Sequence, residues 1–175
     1  LVIHVLEVGQ GDSILVQSPE GKVALVDGGP NEATMLDALE SLGIEQVHVA
    51  IASHHHADHI MGLIGAVEAY EPRYYVDSGS AFATATYNRL LRAVKYSGAQ
   101  WVEPKTATER RILLGSVQLR LFPKPPDDEE NENNNSVGLR LEYGQFSMLL
   151  TGDSEQDERK WWRENAGESL LSRVS

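Results

Sequence analysis

The chain has 175 residues, a length typical of one globular domain with its own hydrophobic core. Its 15 Lys and Arg residues against 26 Asp and Glu residues give a formal charge of −11, which disfavours general adhesion to nucleic acid or anionic lipid unless the basic residues cluster. The absence of cysteine excludes disulfide scaffolds, thiol nucleophiles and thiolate-ligated metal sites.

The first half of the chain alternates predicted strands with predicted helices. Short runs rich in β-branched residues, bounded by turn residues, predict strands at 2–8, 14–17, 22–26, 47–53 and 73–77. Apolar residues at three- and four-residue spacing predict helices at 32–42, 60–70 and 84–97, and Asn31 is a suitable cap for the first of them.

The second half is predicted to be rich in strands. Residues 112–122 and 136–151 have the β-rich pattern, and the charged segment 154–166 is typical of a helix. Between the two β-rich segments lies an acidic, asparagine-rich tract with the sequence PPDDEENENNN, residues 125–135, which we expect to be a mobile loop.

Four of the six histidines fall within six residues, directly after the predicted strand 47–53. Within that segment His54, His56, Asp58 and His59 have the spacing H-x-H-x-D-H. Neutral imidazoles and a carboxylate are ligands of zinc, manganese and iron, and alternate side chains at a strand end can face one point. The pattern predicts a metal site with ligands for two adjacent ions. The alternative is a surface histidine run or a tag, but this cluster is internal and interleaved with aspartate.

The other histidines have different predicted places. The parity of His55 points it away from its neighbours, which favours packing or a contact behind the ligands over ligation. His48 lies about 20 Å from His54 along an extended strand, too far to share an ion. His4, in the first predicted strand, is expected to be a core or edge residue.

Two aspartates each follow an apolar strand, Asp27 in KVALVDGG and Asp153 in FSMLLTGD. A lone buried carboxylate is costly without a partner, and a nearby cation would explain both positions. Each could instead cap a turn or a helix. We favour ligation for Asp153. For Asp27 we favour capping, with orientation of a ligand histidine as the functional alternative.

The motifs VDGG, SHHHADH and LLTGD, in this order, resemble those of the metallo-β-lactamase superfamily. LEVGQGDSILVQSPEGKVALVDGG and NNNSVGLRLEYGQFSMLLTGDSE resemble more narrowly the extracytoplasmic domain of ComEC-type competence proteins, which take up DNA, and their stand-alone relatives. The resemblance covers most of residues 3–155. It implies an α+β fold, a four-layer αββα sandwich with a dinuclear metal site at one edge of the two sheets.

The resemblance also implies roles for individual residues. His54 and His56 would bind one metal ion, Asp58 and His59 a second, and Asp153 would bridge them. Two divalent ions, manganese or zinc, would then hold a hydroxide that attacks a phosphodiester. Asp58 would also be catalytic, orienting or deprotonating the attacking water. Residues expected to support the ligands or the substrate are Asp12, Asp27, Asn135 and Ser136.

The sequence departs from the superfamily pattern in two places. A further histidine that many of these hydrolases supply is replaced by the run Asn133-Asn134-Asn135-Ser136, which favours harder metals such as manganese. A late His-His-Gly segment would fall after Asp153, yet residues 169–174 read only as the start of the strand leading to it. We therefore expect residues 1–175 to be a single domain that is incomplete at its C-terminus.

Basic residues concentrate between residues 89 and 111, where six stand against two acidic ones. Such a strip could hold a phosphate backbone in a salt-sensitive way. The alternative is the solvated face of an amphipathic helix. Aromatic residues Tyr87, Tyr96 and Trp101 could stack on bases, although packing in a core is favoured. The candidate nucleic-acid contacts are Arg89, Arg92, Lys95, Arg110 and Arg111.

The resemblance to ComEC-type proteins implies that the predicted metal site belongs to a metal-dependent hydrolase, a phosphodiesterase or nuclease acting on DNA. Single-stranded DNA is the expected partner, in an extracytoplasmic location with a membrane channel attached or associated, although a soluble cytoplasmic location is also open. Two alternatives remain, a hydrolase of another ester or amide, and a catalytically weakened module that binds DNA.

Overall fold

In the computed structural model, which describes residues 1–106 and 108–171, six strands form a mixed sheet. The first three strands are antiparallel, and the third to the sixth are parallel, with Leu25 opposite Ala50 and Ala50 opposite Tyr75. In spatial and chain order they are β1 (Val2–Val5), β2 (Ile14–Gln17), β3 (Val23–Val26), β4 (Val49–Ile51), β5 (Tyr74–Val76) and β6 (Gln100–Val102).

The second sheet is antiparallel throughout and has the strand order β10-β9-β8-β7. Its strands are β7 (Arg110–Leu114), β8 (Val117–Leu121), β9 (Leu139–Tyr143) and β10 (Phe146–Leu150). The helices are α1 (Glu32–Ser41), α2 (Ala57–Tyr70), α3 (Ala85–Ser97), α4 (Gln156–Asn165) and α5 (Glu168–Leu171), and a 3₁₀ turn spans Glu132–Asn135.

Alternation along the strands of the first sheet builds two cores. Leu25, Ala50 and Tyr75 face helices α1, α2 and α3, whereas Val26 and Ile51 face the second sheet. Helix α4 covers the outer face of the second sheet through a separate apolar cluster formed by Phe122, Leu149, Trp162 and Ala166. The order of layers is helix, sheet, sheet, helix, which confirms the predicted αββα sandwich.

Two of the predicted helices begin at side-chain caps. The Asn31 side chain accepts a hydrogen bond of 3.0 Å from the Thr34 backbone N–H, as predicted, and Thr84 does the same for α3. Helix α3 ends at Gly98, whose φ of 73° is in the left-handed region.

Several boundaries and two assignments differ from the sequence-based predictions. Helix α2 begins at Ala57, directly on the histidine cluster, and strand β6 was not predicted. Residues 169–171 are in α5, so the predicted strand there is wrong, and 172–175 lie outside the described residues. Within the described residues, no helix is long and apolar enough to cross a membrane.

The acidic tract is not the free loop that its composition suggested. It contains the 3₁₀ turn, and the side chains of Glu132, Asn134 and Asn135 are buried. Asp128 accepts hydrogen bonds from the backbone N–H groups of Glu130 and Asn131 and from the Asn134 side chain. These local hydrogen bonds order the segment although few of its residues are apolar.

Candidate metal centre

The site lies where β3 and β4 end side by side in parallel. Asp27 directly follows β3, and the segment after β4 carries Ser53, His54 and His56, whereas His59 lies in the first turn of helix α2. Asp153 lies three residues after the end of β10, a strand of the second sheet. Because parallel strands present their carboxyl ends at one edge, residues distant in sequence meet there.

Asp27 is the buried anchor of the site. Its Oδ1 accepts a 2.7 Å hydrogen bond from the Ser53 backbone N–H, and its Oδ2 accepts one of 2.6 Å from the Ser53 hydroxyl. The same Oδ2 lies 3.0 Å from Nδ1 of His59. Burial raises the pKa of Asp27, and the contact with His59 partly offsets that rise. These contacts place the Asp27 carboxylate against the His59 ring, as the alternative to the favoured capping role requires.

The network around Asp27 determines which ring nitrogens face the site. The Ser53 hydroxyl donates to Asp27, so it accepts from Nδ1 of His54, which lies 3.0 Å away. His59 donates from Nδ1 to Asp27, which leaves its Nε2 3.5 Å from Oδ2 of Asp153. Assigned in this way, both imidazoles present an Nε2 lone pair.

His54, His59 and Asp153 each offer a ligand atom, and these atoms all lie within 4.8 Å of one another. Burial and the neighbouring imidazoles lower the pKa of His54 to about 3, which keeps this ring in the neutral form that binds metals. Burial acts to lower the pKa of His59, but the contact with Asp27 outweighs it and raises that pKa. Two imidazole nitrogens and a carboxylate oxygen fit a divalent cation.

The other two predicted ligands border this group. His56 is half-buried, and its Nδ1 lies 3.0 Å from Nε2 of His54. Asp58 is also half-buried, in the first turn of α2, and its Oδ2 accepts a 3.4 Å hydrogen bond from the Gln10 side chain. Neither residue belongs to the group formed by His54, His59 and Asp153, although His56 contacts His54 directly.

Close backbone contacts lock the Asp27 loop onto α2. The Gly28 N–H donates to the His59 carbonyl at 2.7 Å, and the Gly62 N–H donates to the Gly29 carbonyl at 2.9 Å. A Cβ on Gly62 would lie only 1.8 Å from the Gly28 carbonyl oxygen. Glycine is therefore required at this crossing, which sets the distance between Asp27 and His59.

The geometry and the motifs point to one family, and a comparison with family models decides it. The model described as the metallo-beta-lactamase superfamily matches residues 6–166. The chain belongs to this superfamily. Membership supports a metal-dependent hydrolase.

A relative within the superfamily is "ComE operon protein 3" of Bacillus subtilis (strain 168), 24% identical over 174 residues. The match covers 89% of this chain but only 22% of the relative, so the chain spans about a fifth of that protein's length. It bears out the predicted likeness to a ComEC-type competence protein.

Solved structures of the superfamily share the fold at low sequence identity. Rm3 metallo-beta-lactamase matches with a TM-score of 0.56 and 18% identity, covering 81% of this chain and 56% of its own. Zn(2+)-bound PqqB from Methylobacterium extorquens matches with a TM-score of 0.56 and 16% identity, and the match covers 79% of this chain and 51% of PqqB. CmlA, a diiron beta-hydroxylase from Streptomyces venezuelae, matches with a TM-score of 0.63 and 17% identity, and the match covers 99% of this chain and 33% of CmlA. The chain thus spans about a third to somewhat over half of these chains.

The remaining histidines lie away from the metal-ligand group. His55 is fully buried between Glu132 and Asp77 and stacks on Tyr87. His48 accepts a hydrogen bond from the Val23 backbone N–H at the start of β3, the opposite end of the sheet from the site. His4 in β1 pairs with Gln17 across the edge of the sheet.

Three supporting residues predicted from the resemblance have mainly structural contacts. Asp12 is exposed, and its carbonyl accepts from the Gly29 N–H. Asn135 binds the backbone of Asp128 through both ends of its amide. The Ser136 hydroxyl donates to the Asn133 carbonyl, yet it lies beside Gly152, one residue before Asp153.

The basic residues between 89 and 111 are divided between two layers. Arg89, Arg92 and Lys95 are exposed on α3, and Arg89 pairs with Glu32. Arg110 and Arg111 lie on β7, the edge strand of the second sheet. The segment therefore does not form one continuous strip.

Three site residues escaped the sequence-based reasoning. Ser53 connects Asp27 to His54, Gln10 contacts Asp58, and Glu132 contacts His55. The only available signal for Ser53 was its position before the cluster, and for Gln10 its place between two glycines. Nothing in the composition of its acidic tract distinguished Glu132.

Proposed function

We propose that this chain is a metal-dependent phosphodiesterase that cleaves DNA, with single-stranded DNA as the preferred substrate. The observation that carries the proposal is the convergence of His54, His59 and Asp153 at the edge of the sandwich. DNA as the substrate is supported by the motifs shared with ComEC-type competence proteins and by the match to ComE operon protein 3.

In this proposal two divalent ions, manganese or zinc, are held by five side chains. Bound ions of this kind polarise a phosphoryl oxygen and activate water near neutral pH. The ligands would be His54, His56, Asp58, His59 and Asp153. Asp27 and Ser53 keep the rings of His54 and His59 in orientation through their hydrogen bonds.

Asp58 is the residue that we assign to proton transfer. Its carboxylate is half-buried in the first turn of α2, and one of its oxygens would take up a proton from the attacking water. The Gln10 side chain donates to the other oxygen, Oδ2, and restricts the rotation of the carboxylate. In this proposal both residues would face the phosphodiester.

The basic residues are proposed to contact the DNA backbone outside the metal centre. Arg110 and Arg111 line a cavity of about 330 Å³ together with Tyr74, between the edges of the two sheets. Arg92 and Lys95 would act on the helical side, and Arg89 less so because Glu32 already pairs with it. Binding by such residues weakens with salt.

The proposed setting is extracytoplasmic, with a membrane channel attached to or associated with this chain. The likeness to ComEC-type proteins supports it, and the chain covers only 22% of ComE operon protein 3. Accessibility of the chain to added protease in intact cells, with and without disruption of the membrane, tests the location.

The test of the activity is hydrolysis of end-labelled single-stranded and duplex DNA with Mn²⁺, Zn²⁺ or a chelator. Asp58→Ala is compared with Asp37→Ala, which removes an exposed carboxylate on α1. We expect metal-dependent cleavage that Asp58→Ala abolishes and Asp37→Ala leaves unchanged.

A folded wild-type chain that binds metal but cleaves neither DNA substrate would refute the nuclease proposal. Hydrolysis of a panel of esters and amides would then identify another metallohydrolase. Retention of DNA without cleavage would identify a binding module.

A further inference from the structure

The imidazole of His55 points away from the metal centre although both neighbours in sequence face it. The side chain is fully buried and stacks on Tyr87 with ring centroids 3.9 Å apart and an interplanar angle of 25°. Its Nδ1 lies 2.8 Å from Oε1 of Glu132, and its Nε2 lies 3.5 Å from Oδ2 of Asp77. Within the described residues, both ring nitrogens therefore face carboxylate oxygens.

Glu132 fixes the backbone of His55 as well as its ring. The same Oε1 accepts a 3.1 Å hydrogen bond from the His55 backbone N–H. The other oxygen accepts a 2.9 Å hydrogen bond from the Asn135 side chain, which is itself bound to Asp128. One carboxylate therefore joins the histidine turn to the ordered acidic segment.

The same segment contacts the turn on the other side of His54. The Val137 backbone N–H donates a 2.7 Å hydrogen bond to the Ser53 carbonyl. His54 thus lies between two residues, Ser53 and His55, that are both held by the segment from Glu132 to Val137.

Asp77 provides a rigid second carboxylate. It accepts hydrogen bonds of 2.7–3.0 Å from four groups, the hydroxyls of Tyr75 and Tyr87, the indole N–H of Trp101 and the backbone N–H of Gly79. Donors from strands β5 and β6 and from helix α3 thus fix the orientation of the Asp77 carboxylate that His55 contacts.

We propose that His55 is a positioning residue for the metal centre, which holds the turn carrying His54 and His56 in place by bridging Glu132 and Asp77. An apolar side chain could fill the same volume but would leave the buried carboxylates of Glu132 and Asp77 without the imidazole nitrogens that they contact. The inference rests on the metal centre of the proposed function and is independent of the DNA substrate.

The test compares His55→Phe and Glu132→Gln with Leu119→Ala. Phenylalanine keeps an aromatic ring on Tyr87, and glutamine keeps the size of Glu132 without its charge. Leu119 is fully buried between the two sheets, so its truncation lowers stability without touching the turn. Affinity for Mn²⁺ is measured by titration calorimetry, affinity for Zn²⁺ by chelator competition, and stability by urea unfolding of the metal-free chain.

We expect both site variants to bind metal 10- to 100-fold more weakly, roughly the loss seen when partners of metal ligands are removed. Leu119→Ala should keep the wild-type affinity at a comparable loss of stability. If His55→Phe does not fold, Glu132→Gln alone decides the outcome.

Wild-type affinity in Glu132→Gln, or an equal loss in Leu119→Ala, would overturn the positioning role. A wild-type chain that binds neither ion would overturn both this inference and the proposed function. A wild-type chain that binds metal but does not cleave DNA, with the variants weakened, would overturn only the proposed function.

Discussion

Replacing Gly62 of helix α2 by alanine tests whether one backbone crossing holds the metal-binding residues together. The new Cβ would lie 1.8 Å from the Gly28 carbonyl oxygen and 3.0 Å from Cβ of Met35. Ordinary contacts are 3.4–4 Å, so the loop and the helix must separate by about 1 Å or more. The two nearest atoms belong to the backbone of Gly28, which cannot rotate away as a flexible side chain can.

The expected cost is larger than the gain in helix propensity. Overpacking of this kind costs about 1–3 kcal/mol or more, whereas alanine in a helix interior gains about 1 kcal/mol over glycine. Because the closest contact is with backbone, we take the upper part of this range, about 2–3 kcal/mol, and expect a net loss of roughly 1–2 kcal/mol in the free energy of unfolding. Because Asp27 directly precedes Gly28, the shift should also lengthen the 3.0 Å contact between Asp27 and His59 and weaken metal binding.

The assay is urea unfolding of the metal-free chain together with chelator competition for Zn²⁺. Gly65→Ala is the matched control on the same helix, because its Cβ would lie 3.1 Å from Cβ of Glu32, a mild contact with a side chain. We expect Gly65→Ala to remain within about 1 kcal/mol of the wild type. Equal stability and metal affinity in the Gly62 and Gly65 variants would refute the reasoning.

Three further outcomes are expected. Asp27→Asn should weaken metal binding about 10- to 100-fold in chelator competition, since His59 loses its carboxylate partner, whereas Asp37→Asn should have no effect. Burial raises the pKa of Glu158 from its ordinary value of 4.5 to about 9. Between these two pH values the folded state keeps a proton that the unfolded state has lost, so the free energy of unfolding declines as the pH rises from 4.5 to about 9. Glu158→Gln should flatten that decline and be at least about 1 kcal/mol more stable than the wild type in urea unfolding at pH 9; an unchanged pH profile would contradict the assignment. Trp101→Phe removes the 2.7 Å hydrogen bond to Asp77 and should cost about 1–2 kcal/mol, measured by circular dichroism during urea unfolding.

The order and type of most elements followed from local sequence. Periodic apolar residues marked α1 and α3, whose observed bounds differ from the predicted ones by one residue at each altered end. The short strand β6 was not predicted, because it has only three residues, two of them exposed, and so shows little alternation of apolar and polar residues. The ordered structure of the acidic tract was not predicted, because it depends on side-chain hydrogen bonds that cannot be inferred from composition.

The chemistry of the candidate metal site could be predicted from the sequence, because the imidazoles and Asp58 lie within six residues and share a strand end and the helix that follows. Only the tertiary structure decided what surrounds them. Asp27 reaches Ser53 across 26 residues, and Glu132 reaches His55 across 77. Such contacts depend on the parallel pairing of β3 with β4 and on how the second sheet packs against the first. No local sequence pattern determines this pairing or this packing. The candidate ligand residues could therefore be predicted from the sequence, whereas their orientation depends on how the sheets pack.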